Sequence, residues 1–287
     1  MPELPEVETI RRDLSKKIIG KKITKVLVNR KNMIPDMTAN KFIGSLHGES
    51  VKQIDRVGKL LIFDLKSPDK FLLMHMKMTG QLIYCDKNLC IAGGHDFPKI
   101  GKLPNKYSHI IYEFEDGSKL YFNDQRTFGY AKIVDAKKLD EIKKDFGIEP
   151  LQNNFTYKNL RKLFQDRKKN IKAVLLDQKI IAGIGNIYAD EILWDAKIKP
   201  DRIAGKLKEE EIKAIHKSTN KIIKKAIKWR GTTFSDYRDA SGKKGNFMRH
   251  LNAYEQEGKI CKRCKKSKIK KIKFTGRGTR YCPTCQK

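Results

Sequence analysis

The sequence predicts a multidomain α+β protein in three parts: a β-rich first half, a helical second half and a small C-terminal metal module. Three observations carry this. Before about residue 135, segments rich in β-branched and aromatic residues alternate in part between apolar and polar, as half-buried strands do. Beyond it, apolar residues recur at helical spacing. The tail from about residue 252 holds two Cys-x-x-Cys pairs.

In order along the chain, Glu6–Gly20 reads as a helix with Gly20 as its stop. Lys21–Asn29, Val51–Leu65, Phe71–Tyr84 and His109–Asn123 read as strands. Asp116-Gly117, between Ile110–Glu115 and Lys119–Phe122, predicts a hairpin, because a tight turn needs positive φ. Residues 86–106 hold glycines and prolines without a period and are expected to form a loop, with Cys85 and Cys90 as ordinary thiols beside it. Thr156 is the expected cap of a helix over Tyr157–Asp166, with Leu160, Leu163 and Phe164 on one face. Further helices are predicted over Ile171–Gln178, Ile187–Ala196 and Glu209–Trp229, the last stopping at Gly231. Residues 232–250 are polar and glycine-containing, a mobile connection in expectation. The implied segments are 1–135, 136–231, 232–250 and 252–287.

The 287 residues carry 63 Lys plus Arg against 33 Asp plus Glu, a formal net charge of +30. Such a field attracts polyanions through counterion release from phosphates, although lysine-rich solvated faces also read basic. No segment has the roughly 18 consecutive apolar residues of a spanning helix. The start is acidic and proline-punctuated, and no signal peptide is expected there. The nearest basic amphipathic stretch, Lys206–Trp229, carries Glu209, Glu210 and Glu211 near its start, as a helix N-terminus does. No membrane partner is expected.

Cys261, Cys264, Cys282 and Cys285 form two pairs with 17 residues between them. Each pair suits one hairpin knuckle, and four thiolates make a closed tetrahedral site for one structural Zn2+. So short a module needs such a staple, and the spacing suits a metal in a reducing compartment better than a disulfide framework. Between the pairs, Phe274-Thr-Gly-Arg-Gly-Thr-Arg280 is a basic hairpin suited to phosphate.

Removal of Met1 exposes Pro2 as a secondary amine. An α-amino group titrates near about 8, so a useful fraction is neutral and nucleophilic at physiological pH. Attack by such an amine on a sugar C1′ leads directly to an iminium. Glu3 and Glu6 stand beside it as candidate acid and base.

These residues carry a resemblance. Met1-Pro-Glu-Leu-Pro-Glu-Val-Glu8 resembles the opening of the formamidopyrimidine-DNA glycosylase family. The likeness continues in order through Gly58-Lys59-Leu60-Leu61, His75-Met-Lys-Met78-Thr-Gly80, Asp124-Gln-Arg126-Thr-Phe128-Gly129, Gly183-Ile-Gly185-Asn186-Ile-Tyr188 and the cysteine module. It implies an N-terminal β-sandwich with flanking helices, a helix-two-turn-helix domain and a zinc ribbon, with double-stranded DNA across a basic cleft.

The resemblance implies a bifunctional glycosylase and lyase of base-excision repair. It would excise oxidised purines such as 8-oxoguanine and formamidopyrimidines, then cleave the strand by β,δ-elimination. Pro2 would be the nucleophile, Glu3 would protonate the opening sugar, and Glu6 would position or activate water. Lys59 would assist elimination, and Arg277 would grip phosphate for the final step. Met78, Arg126 and Phe128 would fill the gap left by the everted nucleotide, Arg126 facing an orphaned cytosine. His75, Asn186 and Arg167 match DNA-contacting positions. Residues 232–250 resemble the segment that covers the flipped base.

There are departures. The family commonly has Lys-His-x-His where this chain has Lys106-Tyr107-Ser108-His109, so a phosphate contact at Tyr107 would lack imidazole. The second arginine often found before the Phe is Thr127. The alternatives are an endonuclease VIII-type enzyme for oxidised pyrimidines, whose N-terminus usually reads Pro-Glu-Gly-Pro, and a non-catalytic zinc-ribbon DNA-binding protein. A monomer in the cytoplasm, at the nucleoid, is expected.

Overall fold

The first helix, α1 (Leu4–Ile18), starts two residues before the periodicity predicts. Pro5 sits in its first turn, where a missing N–H leaves no hydrogen bond unmade, and Glu3 is the N-cap. Gly20, at φ +84°, follows the helix as its expected stop. In this computed structural model, residues 1–94, 102–232, 247–274 and 276–287 are described. The chain divides into two units, Met1–Lys144 with Arg230–Asn246, and Asp145–Trp229 with Phe247–Lys287.

The first unit is an antiparallel β-sandwich. One sheet orders β1 (Ile23–Val28), β7 (Ser108–Phe114), β8 (Lys119–Asp124), β5 (Gly80–Cys85) and β6 (Cys90–Gly94); the other orders β2 (Val51–Val57), β3 (Leu60–Leu65), β4 (Phe71–His75) and β9 (Tyr130–Val134). Val7, Ile10, Leu14 and Ile18 of α1 join Phe63, Leu72, Tyr84 and Phe122 from both sheets in one core. Helices α2 (Ala39–Leu46) and α3 (Ala136–Lys144) complete the unit. Gly117, at φ +79°, makes the predicted turn between β7 and β8.

Two expectations for residues 85–106 are corrected. The stretch expected as loop contains β6, paired antiparallel to β5. Its Gly93 and Gly94 hide the strand from a reading of side-chain propensity. Cys85 and Cys90 are joined as a disulfide rather than standing as free thiols. Strand pairing places the two opposite each other, with their Cα atoms 4.1 Å apart, and brings the sulfurs into bonding reach.

The second unit contains α4 (Tyr157–Phe164), α5 (Ile171–Leu176), α6 (Asn186–Ala196), α7 (Glu209–Lys228) and the hairpin of β10 (Lys270–Phe274) and β11 (Arg277–Tyr281). Thr156 caps α4 as predicted, its Oγ1 accepting from Asn159 N at 3.2 Å. Every residue of α6 from Tyr188 to Trp194 is buried, which makes it the axis of the unit. The Glu191 carboxylate accepts from the backbone N–H groups of Asn252, Ala253 and Tyr254 at 2.7–3.0 Å. Arg263 lies over the Trp194 ring and donates to the Trp194 carbonyl at 2.7 Å. The cysteine module is thus fastened to α6 at several points. Among the described residues no helix is long and apolar enough to cross a membrane.

Candidate active site

The start of α1 gathers the expected reaction chemistry. Pro2 is buried, and Glu3 and Glu6 are 3% and 1% exposed. They form a reciprocal capping box: Glu3 N donates to Glu6 Oε2 at 2.9 Å, while the Glu3 side chain accepts from the Glu6 backbone. The other Glu6 oxygen, Oε1, accepts from Thr232 N at 2.8 Å and Thr232 Oγ1 at 3.1 Å. A helix N-terminus offers backbone N–H groups to anions, so two carboxylates are well placed here.

The amine of this structure belongs to Met1, whose removal would pass the role to Pro2. Burial lowers the amine from its usual value; Glu3 and Glu6 oppose the shift, and Lys59 adds to it. The predicted strand over Val51–Leu65 is in fact a hairpin, and Lys59 occupies its two-residue turn, 5% exposed. Gly58, at φ +54°, supplies the conformation that turn requires.

His75 ends β4 opposite Tyr130 of β9, on which its ring stacks at 5.7 Å between centroids. Its Nδ1 accepts from Lys77 N at 2.9 Å, which assigns the proton of the neutral ring to Nε2. Burial holds its pKa down to about 3, with the cations of Lys77 and Lys59 adding to the shift. Here His75 is therefore a neutral hydrogen-bond donor beside the Lys59 charge.

A second group forms around Asp124, which is fully buried. Its carboxylate accepts from Arg126 N at 3.1 Å, Gly129 N at 2.7 Å and the Thr79 hydroxyl. These bonds shape the loop that carries Arg126, Thr127 at φ +53° and Phe128. Gly129 is required there, because a β-carbon would stand 2.7 Å from the Phe122 ring. Arg126 lies 4.5 Å over the Phe128 ring and donates to Met78 Sδ at 3.3 Å. Met78 and Phe128 are 45% and 53% exposed, so the three expected gap-filling side chains form one projecting cluster. Tyr107 is half-buried, and its carbonyl accepts from Asp124 N at 3.0 Å. His109, its neighbour but one, is buried and bonds through Nε2 to the Asp124 carbonyl at 2.7 Å.

In the second unit, Asn186 opens α6 and donates through Nδ2 to Gly278 O of β11 at 3.1 Å. Arg277, beside it on the hairpin, is exposed. Arg167 is half-buried and donates through Nε to the Leu163 carbonyl at 2.7 Å, closing the end of α4. Beneath the hairpin runs a network that the sequence did not announce. Lys172 and Asp190, both fully buried, pair at 2.6 Å; Lys172 also donates to Thr279 Oγ1 at 2.8 Å, and Asp190 accepts from Arg280 N at 3.0 Å. Burial pushes both toward neutrality, and the Arg280 and Arg277 charges add to the shift of Lys172; the attraction and hydrogen bond between the pair, and the Arg280 N–H at Asp190, oppose it.

The four cysteine sulfurs lie within 4.8 Å of one another, with Cys261–Cys285 at 3.8 Å and Cys264–Cys282 at 3.7 Å. A tetrahedron with Zn–S bonds of about 2.3 Å has edges of about 3.8 Å, so the donor set fits one zinc. With four thiolates the site is closed, and the zinc is structural. The expected covering segment falls largely at 233–246, outside the described residues.

Residues 1–131 match the family model for the formamidopyrimidine-DNA glycosylase N-terminal domain, 146–238 that for its H2TH domain, and 258–287 that for the zinc finger found in FPG and IleRS. Formamidopyrimidine-DNA glycosylase of Pelotomaculum thermopropionicum is 40% identical over 289 residues, covering 100% of this chain and 99% of the relative. That of Carboxydothermus hydrogenoformans is 41% identical over 287 residues, covering both in full. A Lactococcus lactis FPG mutant bound to DNA containing Fapy-dG superposes with a TM-score of 0.87 at 34% identity, both chains covered in full. The wild-type Lactococcus lactis protein with DNA containing an oxidised pyrimidine gives 0.86 at 34% identity, again covering both.

Proposed function

The chain belongs to the formamidopyrimidine-DNA glycosylase family, and from that premise we propose how its own residues perform the reaction. It is a DNA glycosylase of base-excision repair with AP lyase activity, and its partner is double-stranded DNA carrying an oxidised base. The observation that carries the residue assignment is the buried Glu3–Glu6 box at the start of α1, beside an amine that burial keeps below its usual pKa.

With Met1 removed, the neutral amine of Pro2 attacks C1′; the N–C1′ bond forms, the glycosidic bond to the damaged base breaks, and the amine's proton passes to the departing base. Glu3 protonates the ring oxygen as the sugar opens to the iminium. Glu6, held by Glu3 N and Thr232, positions the base-side water. Loss of a proton from C2′ expels the 3′ phosphate, and Lys59 supplies the cation beside the developing charge. Arg277 neutralises the phosphate of the second elimination.

Met78, Arg126 and Phe128 replace the stacking lost when the nucleotide is everted, with Arg126 toward the orphaned base. His75, Tyr107, Arg167 and Asn186 hold backbone phosphates. In this assignment residues 1–135 carry the chemistry, 136–231 and 252–287 bind DNA, and 232–250 cover the flipped base. The protein acts as a monomer on nucleoid DNA in the cytoplasm. Oxidised purine is favoured over oxidised pyrimidine by Leu4 after Glu3 and by the Arg126–Phe128 loop.

The test is borohydride trapping on an 8-oxoguanine:cytosine duplex, with the adduct mapped by mass spectrometry. An adduct on Pro2 supports the assignment. An adduct on another residue, or only on an oxidised-pyrimidine duplex, overturns respectively the nucleophile and the lesion class.

A further inference from the structure

Glu8 lies on α1, 6% exposed, and has no part in the reaction described above. Its carboxylate gathers three guanidinium groups. Oε2 accepts from Arg11 Nε at 3.0 Å and Arg56 Nε at 2.9 Å; Oε1 accepts from Arg11 Nη2 at 2.9 Å and Arg12 Nε at 2.6 Å. Neutralising one carboxylate needs one cation, so the arrangement exceeds what burial of Glu8 alone demands.

Arg56 is the informative partner. Its side chain is 9% exposed, it sits near the end of β2, and its Nη1 donates to the Gly58 carbonyl at 3.3 Å. Gly58 is the first residue of the turn and Lys59 the second, closed by the Val57–Leu60 pair. Arg11 adds a second tie from α1 to β2, donating to the Ile54 carbonyl at 3.2 Å. A continuous line of contacts thus runs from the helix that begins at the reacting amine, through Glu8 and Arg56, to the backbone that presents Lys59.

We propose that Glu8 and Arg56 are positioning residues for Lys59: the Glu8 carboxylate orients the Arg56 guanidinium, which grips the Gly58 carbonyl and fixes where the turn holds the Lys59 ammonium relative to the N-terminal amine. The inference rests on the role given to Lys59 in strand cleavage. Guanidinium chemistry matters here, because its Nε–H and Nη–H point in fixed, divergent directions and serve a carboxylate and a carbonyl together. Lysine at this position would keep the charge and lose the fork. In this role Arg56 acts through the turn and not on the DNA itself.

The test uses the full-length protein and a duplex with a preformed abasic site, comparing Arg56→Lys, Glu8→Gln, Lys59→Ala and the Arg56→Lys/Lys59→Ala double variant. Three quantities are read: single-turnover strand cleavage, borohydride-trapped imine as a function of pH, and Kd for a duplex containing tetrahydrofuran. Arg56→Lys is expected to slow cleavage on the order of 10- to 100-fold, the loss that a misplacement of about 1 Å produces. Kd stays unchanged and trapped imine persists. The acid limb of trapping moves to higher pH, in the same direction as in Lys59→Ala. The double variant is no slower than Lys59→Ala alone, because the two residues act as one unit. Glu8→Gln gives a smaller loss of the same kind.

Wild-type cleavage by Arg56→Lys while Lys59→Ala is slow overturns the positioning role and leaves that of Lys59 standing. Losses that multiply in the double variant, or a Kd that worsens in step with cleavage, overturn it equally. Wild-type cleavage by Lys59→Ala overturns the assignment of Lys59 itself, and the inference with it. If Arg56→Lys unfolds, Glu8→Gln decides by the same criteria; unfolding of both assigns the pair to stability alone.

Discussion

A β-carbon built on Gly231 would stand 2.5 Å from Oε1 of Glu6 and 2.8 Å from its Cγ, so the Gly231 backbone passes directly against this carboxylate. The same backbone has φ +79°, a conformation that a side chain resists. Next to it, Thr232 gives Oε1 two hydrogen bonds, and Glu6 in turn holds Glu3 N through Oε2. The acid–base pair of the proposed mechanism is therefore packed in place by a residue 225 positions further along the chain.

Gly231→Ala is expected to cost roughly 1–2 kcal/mol in backbone strain alone. It should also displace Glu6, lowering imine trapping at saturating DNA by about 10-fold or more. Gly258→Ala is the control. Gly258 has φ +80°, yet a β-carbon there meets nothing within 4 Å. It should lower the melting temperature without changing trapping. Equal trapping in the two variants would show that crowding at Glu6 is unimportant.

Acid stability should depend on Glu8. Its guanidinium partners hold its pKa down to about 2 against the desolvation that opposes them, from an ordinary value of 4.5. A carboxylate lowered on folding contributes stability that is fully present above its unfolded pKa and lost as pH falls through its folded one. The wild-type protein should therefore lose this contribution between about pH 4.5 and 2. Glu8→Gln should be less stable at neutral pH and show a flatter decline across that window in chemical unfolding. A variant whose stability runs parallel to wild type throughout would remove Glu8 from the acid transition.

What the sequence made legible was chemistry fixed by local spacing. Cys261, Cys264, Cys282 and Cys285 name a zinc site because a hairpin knuckle is a local structure. Thr156 names a helix start for the same reason. What it hid was set by distance along the chain. Gly231 read only as the stop of a helix, although its crowding against Glu6 is the stronger reason for glycine. Lys172 was one of 63 basic residues until the fold buried it beside Asp190. Cys85 and Cys90 became partners only through the register of β5 and β6, a strand pair that glycine at 93 and 94 had masked.

Removal of zinc should release the β10–β11 hairpin of the second unit, to which the proposed function assigns a DNA contact. The sulfur cage includes the buried Cys261 and Cys282, packed with Trp194, Ala253 and Ile269. Stripping the metal under denaturing chelation, or Cys282→Ser, should abolish binding to a tetrahydrofuran duplex together with metal content. Circular dichroism of the sandwich strands should persist, since all four cysteines belong to the second unit. Retained binding without metal would show that the hairpin is held by α6 alone.

The last expectation concerns how α6 holds that hairpin. Lys172 and Asp190 are both inaccessible to solvent, and removing one partner of such a pair leaves an uncompensated buried charge, at a cost of about 3–5 kcal/mol. Lys172→Met should therefore destabilise the second unit strongly and weaken DNA binding through Arg277, which lies two residues from the Lys172 partner Thr279. Replacing both members by apolar residues removes the desolvation problem and often restores stability. Here the recovery should be partial. Thr279 Oγ1 and Arg280 N also use this pair, and a buried N–H without an acceptor costs about 1–3 kcal/mol. The Lys172→Met/Asp190→Leu variant should thus be more stable than Lys172→Met and less stable than wild type, as read by chemical unfolding. Full recovery with wild-type DNA binding would mean that packing alone seats the hairpin; no recovery would mean that its hydrogen bonds to Lys172 and Asp190, rather than the charge pair, do the seating.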